Sequence, residues 1–103
     1  MRDAGAHDEW WLATLGRLLV WARLRVLDSG IAEVFDADGK TLVYDCEDTA
    51  RAALMDADFV ALDGLDADDA LARGLALDEI AAPDGEDEHS LRARMTQSLG
   101  ARA

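Results

Sequence analysis

The segment Ile31–Cys46, IAEVFDADGKTLVYDC, constrains the fold more than any other part of the chain. Two runs of β-branched and aromatic residues are separated here by a short polar stretch that contains Asp38-Gly39. An Asp-Gly pair between such runs favours a tight β-hairpin, because glycine adopts a positive φ at little steric cost. A two-residue turn at this pair would place Phe35 opposite Leu42, whereas a three-residue turn with a bulge at Gly39 would shift the pairing by one residue. Because the first register pairs apolar with apolar side chains, it is the one that we predict.

The segment before the hairpin predicts a helix followed by a strand. Apolar side chains recur there with the period of one helical face. They occupy Trp11, Leu15, Leu18 and Ala22. After Ala22 the pattern alternates, which is typical of a strand. The predicted strands of a three-stranded antiparallel meander span residues 23–28, 31–36 and 41–46.

The segment after the hairpin predicts helices that cover the sheet. The sequence EDTARAALMDA at 47–57 is rich in alanine, which favours a helix. The apolar run at 59–62 predicts a short fourth strand or a buried extended segment. Asp66 is a suitable N-cap for a short helix that ends at Gly74.

The C-terminal segment 84–103 changes from acidic to basic and predicts at most a short helix. Its apolar residues Leu91, Met95 and Leu99 are too few to anchor it firmly, so we expect a mobile tail or one that becomes ordered on binding a partner. The fold predicted for residues 1–83 is a single α+β domain. Its order is an N-terminal helix, the three-stranded antiparallel meander, a helix, a short fourth strand and a short helix, and the mobile C-terminal tail follows.

The charge of the chain restricts its partners. It contains 22 acidic and 10 basic residues, which give a formal net charge of −12. Residues 28–88 alone contain 19 acidic and three basic residues, a net charge of −16. Such a charge repels nucleic acids and anionic membranes and favours basic partners. We therefore predict a protein partner, basic in character, or a homodimer, and neither nucleic-acid nor membrane binding.

Cysteine usage and hydropathy favour a cytoplasmic protein. Cys46 is the single cysteine, so no internal disulfide can form. Acidic residues precede the apolar stretch 10–22, which is the wrong sign of charge for a secretory signal. That stretch has 13 residues and contains Arg17. A membrane-spanning helix needs roughly 20 apolar residues.

Candidate metal ligands in the sequence have a simpler structural explanation. The stretch 36–47 begins like a calcium-binding loop, but Lys40 and Thr41 occupy the positions that need an oxygen ligand and a glycine. The aspartates between 63 and 69 are explained by helix capping and by the helix dipole. We therefore predict no metal site and no cofactor.

Glu33 and Cys46 are the two side chains with some chemical interest. In the predicted register Glu33 stands on the apolar face of the sheet, where burial would perturb a carboxyl group. The alternative is that a bulge or a sheet edge exposes it near Arg25. The carboxylates around Cys46 are expected to raise the pKa of its thiol, which predicts a buried structural thiol. We predict that the chain is not an enzyme.

The tryptophans give the most direct indication of function. Trp10, Trp11 and Trp21 lie within twelve residues, on a predicted helix too narrow to bury all of them. Together with Arg17 they form the predicted interface, because exposed Trp and Arg are enriched at protein interfaces. The alternative is that Trp21 begins the first strand and packs under the helix.

The predicted function is a small non-catalytic protein-interaction module that acts through this Trp-bearing helix or through a sheet edge. Two other functions are possible from the residues. The first is a nucleic-acid mimic that blocks a basic DNA-binding protein, which the acidic charge favours. The second is a small enzyme that uses Glu33.

Overall fold

An antiparallel sheet of six strands organises the computed structural model, which describes residues 7–85 and 87–98. The strands are β1 (His7–Leu15), β2 (Leu18–Val26), β3 (Ala32–Phe35), β4 (Thr41–Tyr44), β5 (Val60–Ala61) and β6 (Thr96–Ser98). The helices are α1 (Glu47–Asp56), α2 (Ala67–Ala72) and α3 (Glu88–Arg92). Two short 3₁₀ turns lie at Leu62–Gly64 and Leu77–Glu79. The described chain is thus a small compact α+β domain, and the part of the predicted tail that begins at Leu99 lies outside it.

Strand β2 lies at the centre of the sheet. It pairs with β1 along its whole length. Its other side is shared, because residues 18–20 pair with β6 and residues 23–26 pair with β3. The strand order from one edge to the other is β4, β3, β2, β1, β5. Strands β4 and β5 therefore form the two edges of this path.

The predicted N-terminal helix is wrong, because β1 and β2 form a hairpin. Gly16 and Arg17 make the turn between Leu15 and Leu18, and Gly16 has a φ of +61°. A strand that is covered on both faces reads as a nearly continuous apolar run instead of an alternating one. Periodicity alone cannot separate such a run from a buried helix. The apolar residues that suggested one helical face therefore belong to two strands.

Each face of the sheet has its own hydrophobic core. We call them the α1 face and the α3 face, after a helix that covers each. The buried residues of the α1 face are Trp11, Ala22, Leu24, Val26, Ala32, Val34, Ala50 and Leu54. Those of the α3 face are Leu12, Leu19, Trp21, Phe35, Leu65, Ala70, Leu75, Leu91 and Met95. Because successive side chains of a strand point to opposite faces, neighbouring residues of β1 and β2 contribute to different cores.

The hairpin predicted from Asp38-Gly39 is present as β3 and β4, but the predicted register is wrong by one residue. Phe35 lies opposite Thr41 and not opposite Leu42. The pairing is that of the alternative with a three-residue turn.

The side chain of Asp36 explains this register. The backbone N–H of Asp36 donates to the carbonyl of Lys40 over 3.0 Å, which leaves residues 37–39 as the loop. Asp36 Oδ1 accepts hydrogen bonds from the N–H groups of Asp38 and Lys40, each at 3.0 Å. Gly39, with a φ of +86°, takes the bulge position. The carboxylate thus satisfies two N–H groups that the wider loop leaves without ladder partners.

The predicted order of the whole fold is wrong, but the three elements predicted directly after the hairpin are each confirmed. Helix α1, strand β5 and helix α2 lie within the predicted ranges. Asp66 caps α2, since its Oδ1 accepts a hydrogen bond from the N–H of Asp69 over 2.8 Å. Gly74 follows α2 with a φ of +78°.

The prediction of a mobile C-terminal tail is wrong for the described residues. Asp87 caps α3 by accepting a hydrogen bond from the N–H of Ser90. Leu91 and Met95 are buried in the core of the α3 face. The carbonyl of Met95 accepts a hydrogen bond from the N–H of Trp21 over 2.8 Å, next to the point where β6 pairs with β2. Two anchors suffice here because the sheet already offers a free edge and an apolar face.

A buried arginine attaches α3 to the sheet. The side chain of Arg23 is almost completely buried, and its guanidinium lies 5.1 Å from the centre of the Phe35 ring. Its Nη2 donates to Glu88 Oε2 over 2.9 Å. This ion pair and the cation–π contact offset part of the cost of burying the guanidinium, whose Nε has no hydrogen-bond partner among the described residues.

Candidate functional site

The outer edge of β4 carries two exposed apolar side chains. Leu42 and Val43 are 48% and 64% exposed, and β4 pairs with β3 on one side. Among the described residues no strand covers its other side. The four residues of β4 carry no charge, whereas Lys40 precedes them and Asp45 follows them. An edge of this kind offers unpaired backbone groups to another strand.

The direction of the backbone groups on β4 follows from the turn. The carbonyl of Lys40 points toward β3, since it accepts a hydrogen bond from the N–H of Asp36. Backbone groups alternate in direction along an antiparallel strand. Those of Leu42 therefore also face β3, and those of Thr41 and Val43 face outward. The outward N–H and C=O groups are placed to form hydrogen bonds with a further strand.

A shallow groove runs beside this edge on the α1 face. It has a volume of about 240 Å³ and lies between the sheet and α1. Its apolar walls are formed by Val34, Leu42, Tyr44, Leu54 and Phe59. Leu42 thus belongs both to the strand edge and to the wall of the groove, which widens the apolar surface that a partner could contact.

Cys46 lies directly beyond β4 and is exposed, so the prediction of a buried thiol is wrong. It is the N-cap residue of α1, and its Sγ lies 3.3 Å from Thr49 Oγ1. The hydrogen bond with the Thr49 side chain and that with the Thr49 backbone lower the pKa of the Cys46 thiol. These local bonds outweigh the neighbouring carboxylate of Asp48, which acts in the opposite direction.

The predicted interface residues are distributed over different parts of the fold. Trp11 is buried on the α1 face and Trp21 on the α3 face. Trp10 is half-buried and packs edge-to-face against Trp21, with 6.0 Å between the ring centres. Arg17 lies in the exposed turn between β1 and β2. The structure therefore brings two of the four residues into contact.

Glu33 stands beside an arginine and not in an apolar pocket. It lies opposite Arg25 of β2 and opposite Val43 of β4, and it is half-buried. Arg25 in turn makes two hydrogen bonds with the carboxylate of Asp8, at 2.7 and 3.1 Å. The hydrogen bond from Arg25 lowers the pKa of Asp8. The predicted apolar surroundings of Glu33 are therefore wrong, and the alternative that places it near Arg25 agrees with the pairing of β3 with β2.

A group of possible metal ligands that the sequence did not indicate lies at the start of β1. One donor atom from each of His7, Glu9 and Glu47 lies within 4.8 Å of the others. Arg51 makes ion pairs with both Glu9 and Glu47 through the same nitrogen, Nη2. The guanidinium thus already supplies the positive charge that a metal ion would bring to these carboxylates. Glu47 is far from His7 and Glu9 in sequence, so only the fold could reveal the group.

Comparisons with known proteins add no family assignment. No family model, curated protein or solved structure matches the chain. None of the helices in the described part of the chain is long and apolar enough to cross a membrane.

Proposed function

We propose that this protein is a small non-catalytic interaction module that pairs through the outer edge of β4, and that its partner is a second copy of the chain. The observation that carries the proposal is the uncharged edge of β4 with its exposed Leu42 and Val43. Addition of a strand to an open sheet edge is a common mode of protein association, in which backbone hydrogen bonds supply the affinity.

Two-fold symmetry selects the register of this pairing. Two β4 strands related by an axis perpendicular to the sheet run antiparallel and keep equivalent faces on the same side. In the register that we propose, the outward backbone groups of Val43 pair with those of Val43 in the second copy. Leu42 of one copy then lies opposite Tyr44 of the other, and Thr41 lies opposite Asp45. This register uses the whole strand and leaves the turn at Gly39 outside the contact. It also joins the two apolar grooves beside the edge.

The charges at the two ends of β4 support the same arrangement. Lys40 is the single lysine of the chain, and it lies at the start of β4. The opposite end is acidic, with Asp45 and Glu47. Antiparallel pairing brings the lysine of each copy to the acidic end of the other, so both ends carry opposite charges.

The small size of the contact predicts a weak association. A pair of four-residue strands with adjacent groove walls lies at the low end of the area that specific interfaces bury, below about 1,200 Å² in total. We therefore expect a monomer–dimer equilibrium that depends on concentration and not a permanent dimer.

The structure offers less support for the two other functions. A nucleic-acid mimic needs its acids on one surface, whereas α1 and α2 cover opposite faces of the sheet and both carry acidic residues. An enzyme that uses Glu33 needs this carboxylate in a reactive setting, whereas Glu33 lies across from Arg25 and is half-buried.

The experiment is sedimentation velocity over a wide range of protein concentration. The wild-type protein should shift from monomer to dimer as its concentration rises. Val43→Lys should stay monomeric, because two like charges would face each other at the symmetry axis. Its own fold should be retained, since a lysine at this position lies opposite Glu33.

The matched control is Leu71→Lys, which introduces the same charge at another exposed apolar residue, on α2. This variant should dimerise like the wild-type protein. A wild-type protein that is monomeric at every concentration, or equal dimerisation of the Val43→Lys variant, would rule the proposal out.

A further inference from the structure

A second cavity lies beside β5, and Phe59 lines both this cavity and the groove beside β4. The cavity has a volume of about 350 Å³ and lies where α1 approaches β5 and α2. Apolar side chains that line it include Trp11, Met55 and Phe59. A volume of this size is at the lower end of the range of small-molecule sites, which is roughly 300–1,000 Å³.

The charges that border this cavity differ from those of the surrounding chain. Residues 28–88 contain three basic residues, Lys40, Arg51 and Arg73, against 19 acidic ones. Two of the three, Arg51 and Arg73, line this cavity. Arg51 is already paired with the carboxylates of Glu9 and Glu47, so the positive charge that a ligand in this cavity can use is that of Arg73.

Arg73 has capacity for a further acceptor. Arg73 Nη1 donates to the backbone carbonyl of Asp69 over 3.2 Å. This is the single hydrogen bond of the Arg73 side chain within the described residues. A guanidinium carries five N–H donors, so most of the Arg73 donors can reach another group.

We propose that this cavity binds a small amphipathic carboxylate, independently of the pairing through β4. The apolar body of the ligand lies against Trp11, Met55 and Phe59. Its carboxylate accepts hydrogen bonds from Arg73, because the guanidinium fork matches the two oxygens of a carboxylate. Asp69 also lines the cavity, and its charge disfavours ligands with two negative charges, such as phosphate monoesters.

The size of the cavity limits the ligand. Because the volume is at the lower end of the range of small-molecule sites, a ligand of about a dozen non-hydrogen atoms is a suitable probe. Decanoate has this size and a single charge, and decanol is its neutral counterpart with the same chain. The two compounds therefore separate the contribution of the carboxylate from that of the apolar chain.

The experiment is a titration of the protein with decanoate and with decanol, followed by two-dimensional NMR of the backbone amides. We expect saturable shifts around Met55, Phe59 and Gly64 with decanoate, and binding of decanol that is weaker by about tenfold. Arg73→Gln should weaken decanoate binding by about tenfold and leave decanol unchanged. Lys40→Gln, which removes the same charge from the distant β3–β4 turn, should leave both unchanged.

A second variant tests the location of the site without changing a charge. Gly64 lines the cavity, and a Cβ atom at this position would meet no atom within 4 Å. Gly64→Phe should therefore fill the cavity, keep the fold and abolish the binding of both compounds. The proposal is overturned if decanol binds as tightly as decanoate, if Lys40→Gln weakens binding as much as Arg73→Gln, or if Gly64→Phe has no effect.

Discussion

The burial of Met95 predicts that the C-terminal segment contributes strongly to stability. Its side chain is 0% exposed in the core of the α3 face. Met95→Ala removes the thioether part of this side chain and leaves a cavity, which in well-packed cores costs about 2–5 kcal/mol. The backbone carbonyl of Met95 still accepts its hydrogen bond from Trp21 in this variant. The substitution therefore measures packing alone.

This loss is large for a domain of this size. Small domains have a free energy of unfolding of about 5–15 kcal/mol. For about 100 residues, each kcal/mol corresponds to roughly 4–8 °C in the melting temperature, so we expect a decrease of at least about 8 °C. Urea denaturation followed by tryptophan fluorescence measures the change directly, because Trp21 belongs to the same core.

Met55→Ala is the matched control, since it makes the same chemical change on α1 at a side chain that is 59% exposed. Alanine is also a good helix former, so the expected effect is within about 0.5 kcal/mol. Equal stability of the two variants would refute the packing of the C-terminal segment against the sheet.

Three further predictions concern single contacts. Asp8→Asn should lower the free energy of unfolding by about 0.2–1 kcal/mol at neutral pH, because it breaks the ion pair with Arg25. The folded pKa of Asp8 is lowered, so its contribution is present above the unfolded pKa of about 3.9. It is lost as the pH falls through the folded pKa, so the difference between variant and wild type in urea denaturation should shrink as the pH is lowered below the unfolded pKa. Hydrogen bonds with Thr49 lower the pKa of the Cys46 thiol, so alkylation by iodoacetamide should rise at a lower pH in the wild-type protein than in Thr49→Val. Identical pH profiles of the two proteins would contradict the effect of Thr49 on this pKa. Gly39→Ala should cost roughly 1–2 kcal/mol in denaturation, because its φ of +86° is unfavourable for a residue with a Cβ atom, and an unchanged stability would contradict the observed turn.

The candidate β4 edge could be predicted only in part from the sequence. The two strands and their reversal followed from the residues between Ile31 and Cys46. That β4 lies at the edge depends on the strand order, in which β3 lies between β2 and β4 and no described strand pairs with the outer side of β4. The cavity beside Arg73 has lining residues from β1, α1 and α2, so no sequence motif could indicate it.

The sequence by itself determined the features that depend on neighbouring residues. The reversal near Gly39 and the limits of α2 between Asp66 and Gly74 follow from the φ angles and capping bonds that these residues favour. The tertiary structure decided whether residues 10–22 form a helix or two strands, because an apolar run covered on both faces has no distinctive period. It also decided that the segment around Met95 packs against the sheet. Leu91 and Met95 are buried there because part of β2 has an open edge, with an apolar face beside it.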